Sequence, residues 1–474
     1  MKKCSWRGLA LAMAVAGGAA SVAIGATGDK PSASFLGEQI PIGTDNAGRV
    51  WNLGGFSGLT PIGRSGLEFW AVTDRGPNDD GDRTVPGSSA GLYCTSKPSG
   101  KVIFLPEFTP QLVKLGVHEK DVVVQERILL HDGAHPATGL ANIAGDENSF
   151  LQTDPSTKTC ATAPKSAFGV DTEGVVVDPR NGSFWLSDEY RPSILHVARD
   201  GQILSRIVPQ DLASPALPTA TQYAAALAAE GGTFDVQPAL PAIVNGFRKN
   251  RGFEGIAMSP DGNTIYTLLQ SPMDYQAAWG SSLVSSTNRN LARNSPYIRV
   301  FRIDVTDPSA PVVDREWIYL LSRGFSSSVP EKISDLQWLA PDVLLIQERD
   351  DERPTLITHH YRADFTSATN LLDPSNADAF ALAAKTTVPM LEMTNPIPAF
   401  ITPAQTTLAI DVDQLLTSAE FVNSKLEGAA MLPARGSNPA LLVVVNDNDF
   451  DLDHTVLTPA PASIPEQVNI FPQP

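Results

Sequence analysis

The sequence predicts an all-β protein, and within that class a β-propeller built from repeated four-stranded blades. Acid-led apolar segments recur along the chain, and each is followed by a second short apolar segment of strand length. The chain also holds 36 Gly and 38 Pro residues, which indicates frequent turns. Four short strands in a repeated unit are typical of a propeller blade. Five repeats are visible and five to seven blades are compatible with the chain, while a pair of β-sandwiches is the alternative fold.

Each repeat contains an acid directly followed by a Gly or Leu, and a short apolar strand comes next. The repeats begin at Gly169, Gly252, Ile333 and Leu426, with a weaker copy at Phe56. The marker acids Glu173, Glu254 and Asp335 are spaced by 81 residues, and Glu427 follows 92 residues later. Because a fixed spacing is the mark of repeat architecture, these segments predict the first strands of successive blades.

The segments outside the repeat predict the remaining elements. Helix is expected to be sparse, with residues 221–230 and 375–385 as the best short candidates. The chain after residue 450 is too short for a whole blade. A strand near residues 35–42 could therefore complete the last blade and close the ring.

The N-terminus predicts export. Lys2, Lys3 and Arg7 precede an apolar stretch rich in small residues, and a small-residue cleavage site follows near Ala26. This pattern is typical of a secretory signal peptide over residues 1–26, and a membrane anchor is the alternative. We expect residues 27–474 to form a single domain, periplasmic or secreted and monomeric. No later run is apolar enough to form a stable membrane span.

Composition excludes some partners and predicts one covalent bond. The formal net charge is −17, which argues against a nucleic-acid partner because phosphate backbones attract clustered cations. After the signal peptide only Cys94 and Cys160 remain. Two cysteines in an oxidising compartment are expected to pair, closing a loop of about 65 residues and contributing roughly 4 kcal/mol. The acidic charge also suits a divalent cation.

The strand register predicts where the chemistry lies. Marker acids start the first strand of each repeat, and polar residues end the second strand. Because antiparallel neighbours place one strand's start beside the other's end, both sets should meet on one rim of the channel. Buried carboxylates need a positive partner, which either protein cations or calcium could supply.

The rim residues divide into three predicted roles. Acids expected to hold metal or activate water are Asp74, Glu173, Glu254, Asp335 and Glu427. Cations expected to bind an anionic group are Arg75, Arg251, Lys332, Arg349 and Lys425. Expected calcium ligands are Asp188, Glu189, Glu348, Asn446, Asp447 and Asp449. Metal with guanidinium and ammonium groups suits hydrolysis of a phosphate ester, a carboxylic ester or a lactone, and a purely structural acid ring in a binding protein is the alternative.

Five ordered motifs carry a family resemblance. They are Asp74-Arg-Gly-Pro-Asn, Asp171-Thr-Glu-Gly with Ser187-Asp-Glu-Tyr-Arg-Pro-Ser, Asn250-Arg-Gly-Phe-Glu-Gly, Glu348-Arg-Asp, and Lys425-Leu-Glu-Gly with Asn446-Asp-Asn-Asp-Phe. Together, over about residues 45–455, they resemble the bacterial phytase-like family described as "esterase-like activity of phytase". The resemblance implies an exported β-propeller-like protein that hydrolyses an ester or phosphate ester.

Overall fold

Strands dominate the structure, and most of their pairings are antiparallel. A computed structural model of the chain describes residues 33–37, 39–63, 67–85, 88–118, 121–145, 147–212, 217–275, 279, 284–325, 332–350, 357–412, 425–432, 441–451 and 467–472. The predicted signal peptide, residues 1–26, lies outside these ranges. The all-β prediction is confirmed. Among the described residues, no helix is long and apolar enough to cross a membrane.

The N-terminal third of the chain forms one antiparallel sheet, a second four-stranded sheet inserted into it, and two short two-stranded sheets. Its strands are β1 Ala33–Gly37, β2 Pro41–Thr44, β3 Val50–Asn52, β4 Phe56–Pro61, β5 Glu68–Thr73, β6 Asn78–Asp80, β7 Lys101–Ile103, β8 Gln111–His118, β9 Asp121–Leu129, β10 His131–Asp132, β11 His135–Pro136, β12 Ser149–Asp154 and β13 Thr159–Thr162. Strands β4, β5, β8 and β9 pair in that order. The inserted sheet, here the disulfide sheet, has the order β13-β12-β7-β6. The predicted Cys94–Cys160 disulfide is confirmed, with Cys160 on β13.

Two sheets follow in the middle of the chain, each built from strands that pair in sequence order. Their strands are β14 Thr172–Val177, β15 Phe184–Asp188, β16 Ser193–Val197, β17 Ile203–Pro209, β18 Asp235–Leu240, β19 Phe253–Met258, β20 Thr264–Leu269, β21 Tyr297–Asp304 and β22 Val312–Leu320. Helix α1 (Ala220–Ala229) lies within one residue of its predicted bounds, and Thr219 and Gln222 form a capping box at its start. Helix α2 (Ser286–Arg293) was not predicted, because its sequence is polar on most faces.

The last third adds another four-stranded sheet, and its final strands pair with the N-terminal strand. Its strands are β23 Lys332–Ala340, β24 Val343–Asp350, β25 Ile357–Asp364, β26 Gln405–Asp411, β27 Leu426–Leu432, β28 Leu441–Asn446 and β29 Gln467–Pro472. Helix α3 (Ala377–Ala383) lies inside the predicted 375–385 segment. Strand β1 pairs antiparallel with β29, which pairs with β28, so an N-terminal strand completes the last sheet as expected. A short parallel pairing of β1 with β9 joins this sheet to the first one.

The first strands of the five repeats contact one another in a closed series. Strand β4 contacts β14, β14 contacts β19, β19 contacts β23, β23 contacts β27, and β27 contacts β4 again. The apolar core lies between successive sheets: Val72 and Leu112 of one sheet pack with Val175 and Leu195 of the next. Hydrophobic burial therefore holds successive sheets together, and their first strands form a closed series of contacts.

A β-bulge lies at the same place in each of these first strands. The register shifts between Phe56 and Gly58, Thr172 and Gly174, Phe253 and Ile256, Ile333 and Leu336, and Leu426 and Gly428. The unpaired positions are those of the marker acids, with Ser57 in the weaker first copy. Bulges redirect side chains and are frequent beside functional sites. The acid-led sequence motif therefore corresponds to a β-bulge in the first strand of each repeat.

The glycine of the motif permits close approach between neighbouring first strands. A Cβ on Gly58 would lie 2.7 Å from the Gly174 Cα, and one on Gly174 would lie 2.9 Å from the Glu254 carbonyl oxygen. Real side chains do not tolerate such contacts with backbone. Glycine therefore brings successive bulges together, and their acids with them.

Candidate functional site

The bulges open onto a cavity of about 570 Å³ that is lined almost entirely by charged side chains. Its lining residues are Asp74, Arg75, Asn78, Asp79, Asp80, Arg83, Gly100, Lys101, Glu147, Glu173, Glu189, Arg248, Lys249, Asn250, Arg251, Gln270, Arg293, Lys332, Arg349, Lys425, Glu427, Asp447 and Asp449. Ten of the chain's 35 Lys and Arg residues are in this part of the described structure, in a protein with an overall charge of −17. Such a concentration of cations suits an anionic ligand.

Most of the predicted site residues meet at this cavity. Those that line it are Asp74, Glu173 and Glu427 of the catalytic set, all five predicted anion-binding cations (Arg75, Arg251, Lys332, Arg349 and Lys425), and Glu189, Asp447 and Asp449 of the metal set. The expectation that strand starts and strand ends converge on one rim agrees with this placement. Glu254 is buried beside them, with its Oε1 atom 3.6 Å from Arg349 Nη2.

Four other predicted residues lie outside the cavity lining. Both carboxylate oxygens of Asp335 accept backbone hydrogen bonds at 2.8 Å, one from Leu336 and one from Ala429 on β27. This carboxylate therefore ties two first strands together. Asn446 is completely buried at the end of β28.

Asp188 and Glu348 are likewise engaged in the interior. Asp188 lies 2.9 Å from Arg206, and both side chains are almost completely buried. Glu348 accepts hydrogen bonds from Tyr319 at 2.6 Å and from Ser322. Because successive side chains of a strand point to opposite faces, the end of a second strand can send a carboxylate into the sheet packing instead of the channel.

Arg75 is the centre of one ion-pair network in the cavity. Its terminal nitrogens lie 2.5 Å from Glu147 Oε1 and 3.0 Å from Glu189 Oε2, and one of them also pairs with Asp171. The same guanidinium donates to the Asn250 side-chain oxygen at 2.6 Å. Arg75 therefore gathers residues from several sheets, and its charge is balanced by protein carboxylates.

A second network surrounds Lys425 on the other side. Its ammonium lies 2.5 Å from Asp447 Oδ2 and 2.5 Å from Asp449 Oδ1. Arg349 pairs with Glu427 in the same region. Arg251 Nη1 also lies 4.0 Å from Glu189 Oε1, so four of the five predicted anion-binding cations are within ion-pair distance of carboxylates. The sequence prediction treated these cations as equivalent, whereas Arg75, Arg349 and Lys425 form close ion pairs and Arg251 forms a long one.

Several buried oxygens in the acid ring have no hydrogen-bond partner. Glu173 is 7% exposed, and no residue in the described part of the chain donates to it or pairs with it. Glu189 Oε1, Glu254 Oε2 and Gln270 Oε1 also accept no hydrogen bond within the described part of the chain, although Glu189 Oε1 lies 4.0 Å from Arg251 Nη1. One oxygen from each of Asp171, Glu173 and Glu189 lies within 4.8 Å of the others. Converging carboxylate and amide oxygens of this kind fit a hard divalent cation such as calcium.

Burial controls the protonation of these carboxyls. It raises the pKa of Glu173 well above its usual range, and the charges of Asp171 and Glu254 raise it further. Burial also raises the pKa of Asp447 to about 7, although the Lys425 charge opposes the shift. At neutral pH these groups must either hold protons or be compensated by a cation.

Three residues that line the cavity have a strained backbone conformation. Asn250, Lys425 and Asp449 have φ values of 53°, 49° and 48°, in the left-handed region that non-glycine residues seldom adopt. The Asp447 N–H donates to the Lys425 carbonyl at 2.8 Å, and Asn250 is held by Arg75. Strain held in place in this way is common at binding and catalytic sites.

Sequence reasoning missed two groups of cavity residues. Asp171 and Asn250 lie within the motifs that carry the family resemblance, so membership of those motifs could have identified them as site residues. Glu147, and Arg83 and Lys101 of the disulfide sheet and its connections, lie outside both the repeat and these motifs. Nothing in their spacing indicated that an inserted sheet would form one wall of the cavity.

Comparison with known proteins identifies a matching family and a similar protein. The Phytase-like family, described as "Esterase-like activity of phytase", matches residues 52–450. An "Uncharacterized secreted protein" of Arthroderma benhamiae is 32% identical over 219 residues, which is 43% of this chain and 40% of the relative. The matched region thus spans less than half of that relative's length. Its description as secreted supports the prediction that this chain is periplasmic or secreted.

Solved structures resemble the chain only distantly. The periplasmic gluconolactonase of Pseudomonas aeruginosa is 10% identical, with 93% of this chain and 99% of that chain covered and a TM-score of 0.32. The catalytic domain of an α-L-arabinofuranosidase of Coprinopsis cinerea is 7% identical, with 94% and 98% covered and a TM-score of 0.35. Similarities of this size give no information about the substrate.

Proposed function

The chain belongs to the phytase-like family, and on that premise we propose that it is an exported, calcium-assisted hydrolase of phosphate esters or other esters. One observation carries the proposal: unpartnered, buried carboxylate oxygens face a cavity whose lining contains ten cationic side chains. An uncompensated carboxylate in such a position is costly for a purely structural element. In a site that binds both, a metal ion compensates the buried carboxylates and an anionic substrate compensates the cationic side chains.

The proposed scaffold is a closed β-propeller of five blades. Its support is the closed series of contacts among β4, β14, β19, β23 and β27. Four blades would start from the first strands of the first four repeats, and β27, β28, β29 and β1 would form the fifth. The candidate site would then lie at the mouth of the central channel.

The proposed calcium ligands are Asp171, Glu173 and Glu189. Gln270 and Glu254 each have an unpartnered oxygen, which suits the six to eight oxygens that calcium takes. When bound, calcium polarises an ester or phosphoryl oxygen and lowers the pKa of a bound water. This set is narrower than the one predicted from sequence, because among the described residues these three carboxylates converge to within 4.8 Å of one another, whereas Lys425 pairs with Asp447 and Asp449.

The proposed anion-binding residues are those at the mouth. Lys249, Arg251 and Lys332 line the cavity and are partly exposed. Arg75, Arg349 and Lys425 would instead hold the carboxylates in position. Asp74 and Asp447 are the proposed proton acceptors for the attacking water: burial raises the pKa of both, and the Asp447 charge raises that of Asp74 further.

A non-catalytic ligand-binding protein is the second candidate. The observation in its favour is the extensive pairing of Arg75, Arg349 and Lys425 with acids, which would suit a rigid structural ring. Such a protein would still bind calcium and an anion but would release no product.

The test is hydrolysis of p-nitrophenyl phosphate and p-nitrophenyl acetate by the purified exported form, with calcium and with a chelator. Glu173→Gln is the test variant, and Asp335→Asn is the matched control because Asp335 lies at an equivalent bulge outside the cavity. Calcium-dependent phosphate release that is lost only in Glu173→Gln supports the phosphoesterase. Turnover of p-nitrophenyl acetate alone would change the substrate class to a carboxylic ester. No turnover of either ester, together with calcium binding, favours the binding protein.

A further inference from the structure

The disulfide sheet forms a wall of the cavity that the five repeats do not supply. Strands β6 and β7 and their flanking residues contribute Asn78, Asp79, Asp80, Arg83 and Lys101 to the lining. Gly100 approaches the neighbouring backbone so closely that a Cβ there would lie 2.3 Å from the Asn148 carbonyl oxygen. The starts of β7 and β12 are therefore closely packed within the wall.

The disulfide anchors this wall at its far end. Cys94 is completely buried and is bonded to Cys160 on β13. Two hydrogen bonds beside it reinforce the link: Thr95 N–H donates to the Lys158 carbonyl at 2.9 Å, and the Gln152 side chain donates to the Tyr93 carbonyl at 2.7 Å. The connection between β6 and β7 is thus tied to β12 and β13 next to Tyr93.

A chain of polar contacts runs from that anchor to the cavity. The Tyr93 hydroxyl hydrogen-bonds the Asp79 carboxylate, which is 3% exposed on its side chain. Asp79 Oδ1 lies 2.8 Å from Nε of Arg83, whose side chain is 22% exposed at the cavity. A guanidinium is a planar fork, so a contact through Nε orients the whole group where it lines the cavity.

We propose that the Cys94–Cys160 disulfide positions Arg83, through Tyr93 and Asp79, as an anion-binding residue that sets the affinity of the cavity for a substrate carrying a phosphate or similar anionic group. Arg83 contacts the substrate, whereas Tyr93, Asp79 and the disulfide act through it. The inference rests on the proposed function for its kinetic readout, although anion binding can be measured without turnover.

The first arm compares Arg83→Gln with Lys114→Gln. Lys114 is a matched control, since it is also paired with an acid, is 25% exposed on its side chain and is outside the cavity. Arg83→Gln should raise KM for p-nitrophenyl phosphate about tenfold, the effect of one lost charge-assisted hydrogen bond, with kcat within about twofold. KM for p-nitrophenyl acetate should not change. An unchanged KM for the phosphate ester would overturn the proposal.

The second arm tests positioning with a double-mutant cycle. Tyr93→Phe, and separately the double variant Cys94→Ser with Cys160→Ser, should each raise the phosphate-ester KM in the parent protein. Neither should raise it further in the Arg83→Gln background, because all act through one contact. Additive effects would overturn the relay. Tyr93→Phe keeps the test decisive if the cysteine variant does not fold.

Calorimetric titration with inorganic phosphate separates this proposal from the proposed function. If no ester is hydrolysed but Arg83→Gln weakens phosphate binding about tenfold, the hydrolase fails and the role of Arg83 is supported. If calcium-dependent hydrolysis is present but Arg83→Gln changes neither KM nor phosphate binding, the hydrolase is supported and the role of Arg83 is wrong.

Discussion

Replacement of Glu173 by Gln should have opposite effects on the calcium-free and calcium-loaded protein. Glu173 is 7% exposed, is unpartnered among the described residues, and lies beside the charges of Asp171 and Glu254. Because a buried unpaired charge costs several kcal/mol, its removal should raise the free energy of unfolding without calcium by about 1–3 kcal/mol at pH 8. Calcium at 100 times its Kd stabilises by about 2.7 kcal/mol, and we expect most of that gain to disappear in the variant.

The same carboxyl makes the effect depend on pH. Its pKa is raised in the folded state, so the folded protein binds more protons than the unfolded chain at pH values above about 4.5. The calcium-free protein should therefore lose stability as pH rises through the folded pKa, by about 1.4 kcal/mol for each unit between the two pKa values. The calcium-free Glu173→Gln variant should lose less stability over the same pH range, because its residue 173 does not titrate. Calcium binds the ionised form, so its stabilising effect should grow from pH 5 to pH 8.

Urea unfolding of both proteins with calcium and with a chelator, at pH 5 and pH 8, measures these effects. Asp335→Asn is the control, because its two oxygens accept backbone hydrogen bonds on β23 and β27. That variant should be destabilised equally with and without calcium. The reasoning is refuted if Glu173→Gln destabilises the calcium-free protein while calcium stabilises it as much as the parent.

Three further variants test other parts of the structure. Lys425→Ala removes the ammonium from Asp447, and we expect calorimetry to show about one additional calcium ion per chain, because two close carboxylates then need a cation. Gly174→Ala places a Cβ 2.9 Å from the backbone of β19, which should cost about 1–3 kcal/mol in urea unfolding. Arg206→Met leaves Asp188 buried without its ion pair, which should cost about 3–5 kcal/mol in the same assay.

Each of these predictions has its own control. Lys114→Ala, outside the cavity, should leave the calcium stoichiometry unchanged, and an unchanged stoichiometry in Lys425→Ala would contradict the role given to its ammonium. A Gly174→Ala protein as stable as the parent would show that the first strands can separate at no cost. Adding Asp188→Leu to Arg206→Met should recover much of the lost stability, since no charge then remains unpaired.

The repeat made much of the fold and part of the site predictable. Periodic acid-led segments predicted five first strands, and the strands lie where the repeat places them. The rule that antiparallel starts and ends meet on one rim brought Glu173, Glu427, Asp74 and Asp447 to one cavity. The same rule failed for Asp335 and for residues at the ends of the second strands, because bulges and local hydrogen bonds decide whether a rim carboxylate faces the channel or the packing.

The sequence by itself determined the all-β class, the repeat, the disulfide pair and the set of acids from which a site could be built. These follow from local patterns: strand periodicity, turn residues, cysteine count and the acid-glycine motif. The tertiary structure alone decided which cations are neutralised, which oxygens have no partner, and that an inserted sheet supplies Arg83 to the cavity. Those properties depend on distances between residues far apart in sequence, and ion pairing and burial change steeply over a few ångströms.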